Sequence, residues 1–143
     1  MDLKVENTIT AKVYNELRNS IGWDSKAEEL VNEAIKNSAV VKLIKYDNKA
    51  VGMARAIGDG LYYLVIDVVV NKEYQGKGIG RKLYQYAVKQ NNKGYFTVNS
   101  SPYAHEVYKH LGFEDTDEKQ SVNGLIFYPM KNDKIKEMLL NEL

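Results

Sequence analysis

Asp67-Val68-Val69-Val70-Asn71-Lys72-Glu73-Tyr74-Gln75-Gly76-Lys77-Gly78-Ile79-Gly80-Arg81-Lys82-Leu83 reads as an apolar strand that enters three alternating glycines and leaves as a cationic helix. That order of elements makes an anion site. The first N–H groups of a helix have no intrahelical partner, and the helix dipole favours negative charge there. Gly76, Gly78 and Gly80 lack Cβ atoms, so main-chain amides can approach phosphate oxygens closely. Lys77, Arg81 and Lys82 add charge beside them.

Three classes of phosphorylated ligand use such a turn. A nucleotide P-loop needs Gly-Lys followed by Ser or Thr, and Gly76-Lys77 is followed by Gly78. A dinucleotide fingerprint starting at Gly76 would place its third glycine at Arg81, and the acid it wants about 20 positions on is absent from Asn99 to Ser101. The diphosphate of coenzyme A meets neither objection. A glycine-rich turn with no ligand is the remaining alternative.

Gln75-Gly76-Lys77-Gly78-Ile79-Gly80 resembles the Q/R-x-x-G-x-G/A acyl-CoA motif of the GNAT superfamily of N-acetyltransferases. Asp67 to Val70 and Glu73-Tyr74 are similar to the strand and loop that lead into it. Asn99-x-x-x-x-Ala104-x-x-x-Tyr108-x-x-x-Gly112-Phe113 resembles the family's second motif. The likeness is sharpest over residues 62–113. It implies an α/β fold, with residues 1–143 as one domain. A mixed, mostly antiparallel sheet of about six or seven strands would be flanked by helices, with a parallel pair splayed to hold the cofactor. That cofactor would be acetyl-CoA. Its pantetheine arm would pair with the main chain of Val68 and Val70, and an N–H near Val69 or Val70 would serve the oxyanion. Gln75, Gly76, Lys77, Gly78, Ile79, Gly80 and Arg81 would surround the diphosphate, and Asn99 and Tyr103 would complete the cofactor set. Tyr108 would protonate the departing thiolate.

Residue chemistry supports the last role, because a phenol stays protonated at neutral pH. Core packing at helical spacing is the other reading of Tyr108. Asp67 is the only acid inside the central strand and the candidate base; a loop cap, or a water chain in its place, is the alternative. Trp23, Tyr62, Tyr63 and Tyr103 are candidates to line an aromatic acceptor pocket, with Asp24 or Asp59 attracting a cation. Transfer to the primary amine of a small molecule is the first expectation. Protein lysines or N-termini are the second, and a non-catalytic acyl-CoA-binding module is the third. His105 and His110 lie five apart, too far round a helix to share a ligand, and read as exposed.

Composition narrows the partners. Lys+Arg 20 against Asp+Glu 19 leaves +1, so nucleic acid is not the expected partner. With no cysteine there is no disulfide, thiolate metal site or acyl-cysteine step, and no metal is expected. Neither a secretory signal nor a run of ~18 apolar residues is present, so no membrane is expected and the compartment reads as cytoplasmic. A monomer or homodimer is expected.

Hydrophobic periodicity supplies the remaining elements. A short strand holds Leu3 and Val5. Thr10 caps a helix with Val13, Tyr14, Leu17 and Ile21 inward, and Ser25 caps a second with Ala27, Leu30, Val31, Ala34 and Ile35 inward. Strands over 39–46 and 50–57 form a hairpin about Asp47-Asn48. The central strand, 62–70, is apolar enough to be covered on both faces. The helix after the glycine turn buries Ile79, Leu83, Tyr86 and Ala87. A parallel strand over 95–98 follows, then a helix through Ala104, Val107, Tyr108 and Leu111 that stops at Gly112. A strand from Phe113 pairs with 125–130 across Asn123-Gly124, and a last helix carries Ile135, Met138, Leu139 and Glu142.

Overall fold

The computed structural model describes residues 2–90, 95–102 and 104–132. Tyr103, the expected helix end over 91–94 and the expected last helix lie outside the described residues. Eight strands form one open sheet: β1 (Leu3–Glu6), β2 (Val40–Tyr46), β3 (Lys49–Gly58), β4 (Tyr62–Val70), β5 (Tyr95–Ser100), β6 (Glu114–Asp115), β7 (Gln120–Val122) and β8 (Leu125–Asn132). Their order is β1-β2-β3-β4-β5-β8-β6, with β7 also paired to β8, so the sheet exceeds the expected six or seven strands. β4 and β5 run parallel, and the other pairs are antiparallel. Among the described residues the α-helices are α1 (Ala11–Ser20), α2 (Glu28–Lys36), α3 (Ile79–Gln90) and α4 (His105–His110). Among the described residues no helix is long and apolar enough to cross a membrane.

Each face of the sheet has its own core. Tyr14 and Leu17 of α1 and Val31 of α2 pack on Leu43, Met53 and Val69. On the other face, Tyr84 of α3, Tyr108 of α4 and Leu111 just past its end pack on Tyr63, Val65, Phe96 and Met130. Ile79 and Leu83 of α3 continue that layer over Ile44, Val51 and Ala54.

A β-bulge in β4 decides where the site lies. Arg55 pairs with Asp67 but Ala56 pairs with Val65, so Ile66 is an extra residue opposite β3. One inserted residue switches the alternation of side chains. Tyr63 and Val65 face α3 and α4, and beyond the bulge it is Val68 and Val70 that lie on that side. Asp67 and Val69 turn to α1 instead. The bulge also bends the strand, and the pairing of β4 with β5 ends at Val65↔Val98.

Several local expectations shift. Thr10 caps α1, accepting from Val13 N at 3.2 Å. Ser25 does not cap α2: Ala27 occupies that position and Ser25 Oγ donates to Asn19 Oδ1. Leu30 and Val107 are exposed, and α3 buries Tyr84 where Tyr86 was expected. The Asn123-Gly124 turn joins β7, an unexpected strand, to β8.

Gly52 lets α3 lie directly on the sheet. A Cβ there would sit 3.0 Å from Ile79 Cγ2 and 3.3 Å from Val69 O. Gly52→Val is expected to push the start of α3 outward and to destabilise the fold by about 1–3 kcal/mol, the cost of overpacking. Thermal melting measures it, and a mutant as stable as wild type would show that the helix has room to move.

Candidate cofactor and acceptor site

The main chain of β4 supplies the first part of the site. Asn71 N donates to Val51 O at 2.8 Å. Alternation in an antiparallel pair then directs the amide and carbonyl of Val69 to Met53 in β3 and turns those of Val68 and Val70 to the opposite edge. Val70 O accepts there from Gln75 Nε2 at 3.0 Å. β5 has already left that edge, since its last parallel partner is Val65. Val68 and Val70 thus border the gap between the splayed strands. Val69 departs from its expected place: its side chain is in the core and its main chain is committed to β3.

The glycine turn closes one end of the gap. Asn71 Oδ1 accepts from Glu73 N at 3.1 Å and starts a 3₁₀ turn over Lys72–Tyr74. Gly76 and Gly78 follow with φ of 77° and 81°, a region that L side chains rarely adopt. Beyond the adjoining residues nothing lies within 4 Å of the place a Cβ would take at either glycine, so the turn is open there. Lys82 N donates to Gly78 O at 3.1 Å and opens the α3 ladder, so the N–H groups of Ile79 and Gly80 lie ahead of the first intrahelical bond. No acid sits in that first turn. Gly80 has no positive φ, so the backbone requires two of the three glycines. Ile79 is buried and anchors the helix, while Lys77 Nζ lies 5.4 Å over the Tyr74 ring. A helix N-terminus, nearby cations and an open glycine turn suit the diphosphate of coenzyme A.

Tyr108 belongs to the aromatic core on the same face as α3. Its ring stands edge-on to Tyr84 at 5.7 Å and to Phe113 at 5.3 Å, and 8% of the residue is exposed. Burial raises the phenol pKa above its ordinary 10.0, with the Tyr84 hydroxyl opposing in part. Burial drives Tyr84 further up, with the neighbouring Tyr108 phenol adding to the rise. Asn99 is exposed near the end of β5, paired with Pro129 of β8.

Asp67 is occupied by structure. It is 4% exposed, and its Oδ2 accepts from Tyr14 Oη and Arg55 Nε, each at 2.8 Å. Arg18 Nη1 lies 3.9 Å from its Oδ1. The carboxylate expected to act as a base is thus engaged by Tyr14 and Arg55, with Arg18 beside it, in a buried ion cluster. Nothing in the sequence pattern paired it with α1, because the bulge aims it there.

The acceptor candidates divide. Tyr63 is buried and stacked on Phe96 at 4.9 Å, so it is a core residue rather than pocket lining. Trp23, Tyr62 and Ile66 are exposed at 44, 53 and 41%. Asp24 is exposed in the loop between α1 and α2, and its carbonyl accepts from Arg18 Nε at 2.9 Å. Arg18 and Ile66 were not among the sequence candidates. His105 was read as exposed but is held, with Nε2 2.6 Å from Asp115 Oδ1 and its ring stacked on Tyr128 at 3.8 Å. His110 is exposed as expected.

Comparison with known proteins gives a consistent result. A family model described as "Acetyltransferase (GNAT) domain" matches residues 12–134. An uncharacterised N-acetyltransferase, ycf52, of Gracilaria tenuistipitata var. liui is 34% identical over 122 residues, covering 80% of this chain and 66% of its own. Histone acetyltransferase TAP1 of Glycine max is 30% identical over 128 residues, 79% of this chain and 54% of its own. The fold of an aminoglycoside 6'-N-acetyltransferase complexed with coenzyme A superposes with a TM-score of 0.77 at 12% identity, covering 90% of this chain and 96% of that one.

Proposed function

Because the chain belongs to the GNAT acetyltransferase family, whose members of this fold are solved with coenzyme A or acetyl-CoA bound, we propose that it transfers an acetyl group from acetyl-CoA to the primary amine of a small aromatic molecule. The observation that carries this reading is the edge of β4 at Val68 and Val70, beyond its last pair with β5, beside a glycine turn whose helix has no acid in its first turn. Acetyl-CoA supplies an activated acyl carbon and a thiolate leaving group. The amides from Gly76 to Arg81, with Lys77, hold the diphosphate. Val68 and Val70 pair with the arm, and the Val70 N–H stabilises the oxyanion. The amine nitrogen bonds to the acyl carbon, the C–S bond breaks, and Tyr108 Oη–H gives its proton to sulfur and then recovers one from solvent. The proton lost by the amine passes to water, since Asp67 is already engaged by Tyr14 and Arg55. Trp23, Tyr62 and Ile66 offer apolar surface to an aromatic acceptor.

The test is thiol release from acetyl-CoA with tryptamine, spermidine and a lysine-bearing peptide. Tryptamine is the expected substrate. A protein lysine is the second reading, favoured by the relative named as a histone acetyltransferase, and turnover of the peptide alone would establish it. Coenzyme A binding without thiol release would leave only a binding module.

Tyr108→Phe is expected to lower kcat by about 100-fold or more, the usual range of general acid catalysis, with KM for acetyl-CoA within about twofold. A raised phenol pKa keeps the acid form present beyond pH 10.0, so the kcat profile of the wild type should show no falling limb below that pH. Unchanged turnover in the mutant would remove Tyr108 from the mechanism.

A further inference from the structure

The loop over residues 21–27 carries Trp23 and Asp24 but has little core of its own, since residues 22–27 are all exposed. Side chains of α1 tie it back. Asn15 Oδ1 accepts from Lys26 N and Asn15 Nδ2 donates to Lys26 O, each at 2.9 Å. Ser25 Oγ donates to Asn19 Oδ1. A further tie also reaches the sheet. Arg18 Nε donates to Asp24 O at 2.9 Å, and its guanidinium carbon lies 5.1 Å from the Trp23 ring centroid. The other end of the same guanidinium lies 3.9 Å from Asp67 Oδ1. Asp67 directly follows the bulge residue Ile66, and Val68, the next residue, borders the gap assigned to the thioester arm. One planar group therefore spans from the strand that would hold the donor to the loop that would meet the acceptor.

The geometry is specific to arginine. Its Nε donates to Asp24 O, its Nη1 turns charge toward Asp67 and its flat face lies on an aromatic ring. A lysine at the same place keeps the charge toward Asp67 but has a single donor head and no flat face. Arg55 secures Asp67 Oδ2 independently, with Arg55 Nη1 also donating to Ser38 Oγ at 3.3 Å. Losing Arg18 therefore leaves the buried carboxylate paired.

We propose that Arg18 is a positioning residue for the acceptor amine. Acting through Trp23 and Asp24, it fixes the α1–α2 loop against the bulge of β4, so that the amine meets the acyl carbon within reach. This role rests on the N-acetyltransferase reading above.

Trp23 is the one tryptophan of the sequence, so intrinsic tryptophan emission reports this loop alone. Arg18→Lys and Arg18→Ala are each expected to at least double the acrylamide quenching constant of Trp23. Coenzyme A affinity measured by calorimetry should stay within twofold of wild type. With whichever of tryptamine, spermidine or the lysine peptide turns over, Arg18→Lys should raise KM for the amine at least fivefold and leave KM for acetyl-CoA within twofold. Asp67→Asn, which loosens the tie from the other end, should also raise quenching. Wild-type quenching in Arg18→Lys, or a rise in both KM values together, overturns the proposal. If no amine is turned over, the catalytic reading falls, while quenching and coenzyme A affinity still decide whether Arg18 holds the loop.

Discussion

Gly78→Asp is expected to abolish measurable coenzyme A binding while the protein stays folded. Gly78 has φ 81°, and an L residue there carries about 1–2 kcal/mol of backbone strain. No atom lies within 4 Å of the new Cβ, so the side chain meets no protein wall and the fold survives. It enters the cradle itself, where a carboxylate repels the diphosphate and competes for the amides of Ile79 and Gly80. Calorimetry should show affinity lowered by about 100-fold or more, the scale of opposing a charge in a site built for that charge. Gly78→Ala separates the two effects, because it carries the strain without the charge and should lose far less. Wild-type affinity in Gly78→Asp would place the diphosphate elsewhere.

Asp67→Ala is expected to be the most destabilising single change in the sheet. Removing the carboxylate leaves the Arg55 and Arg18 guanidinium groups, each with 13% of its side chain exposed, facing one another without a counter-charge. Breaking a buried pair from one side costs about 3–5 kcal/mol. For a domain of this size that lowers Tm by about 10 °C. Tyr14 also loses its acceptor on the same oxygen. Thermal melting decides the point, and a loss below about 1 kcal/mol would mean that water screens the cluster. Such a loss would also weaken the case for Arg18 as a fixed tie.

Much of the fold was legible because its signals are local. Asp47-Asn48 makes the β2–β3 turn with φ of 50° and 62°, as a short polar pair between β-branched runs suggests. Thr10 caps α1 and Gly112 ends α4 with φ 99°. Failures came where periodicity gives a stripe without its centre. Leu30 keeps the apolar spacing of α2, yet that helix buries Val31 deeply and leaves Leu30 at the surface. Tyr84 and Tyr86 are both aromatic, and the angle at which α3 meets the sheet chose the first. β7 is three residues long, too short to carry an alternation of its own.

The sequence alone determined the shape of the glycine turn proposed to hold the diphosphate, because positive φ, missing Cβ atoms and a helix start are properties of neighbouring residues in one stretch. It also determined the strand-and-helix order that presents that cradle. Tertiary structure decided the roles of the charges. A single extra residue at Ile66 reversed the direction of Asp67, took it away from the proton it was expected to accept and delivered it to Tyr14, Arg18 and Arg55. Side-chain direction along a strand depends on every pairing before it, so no local pattern around Asp67 could disclose which face it would join.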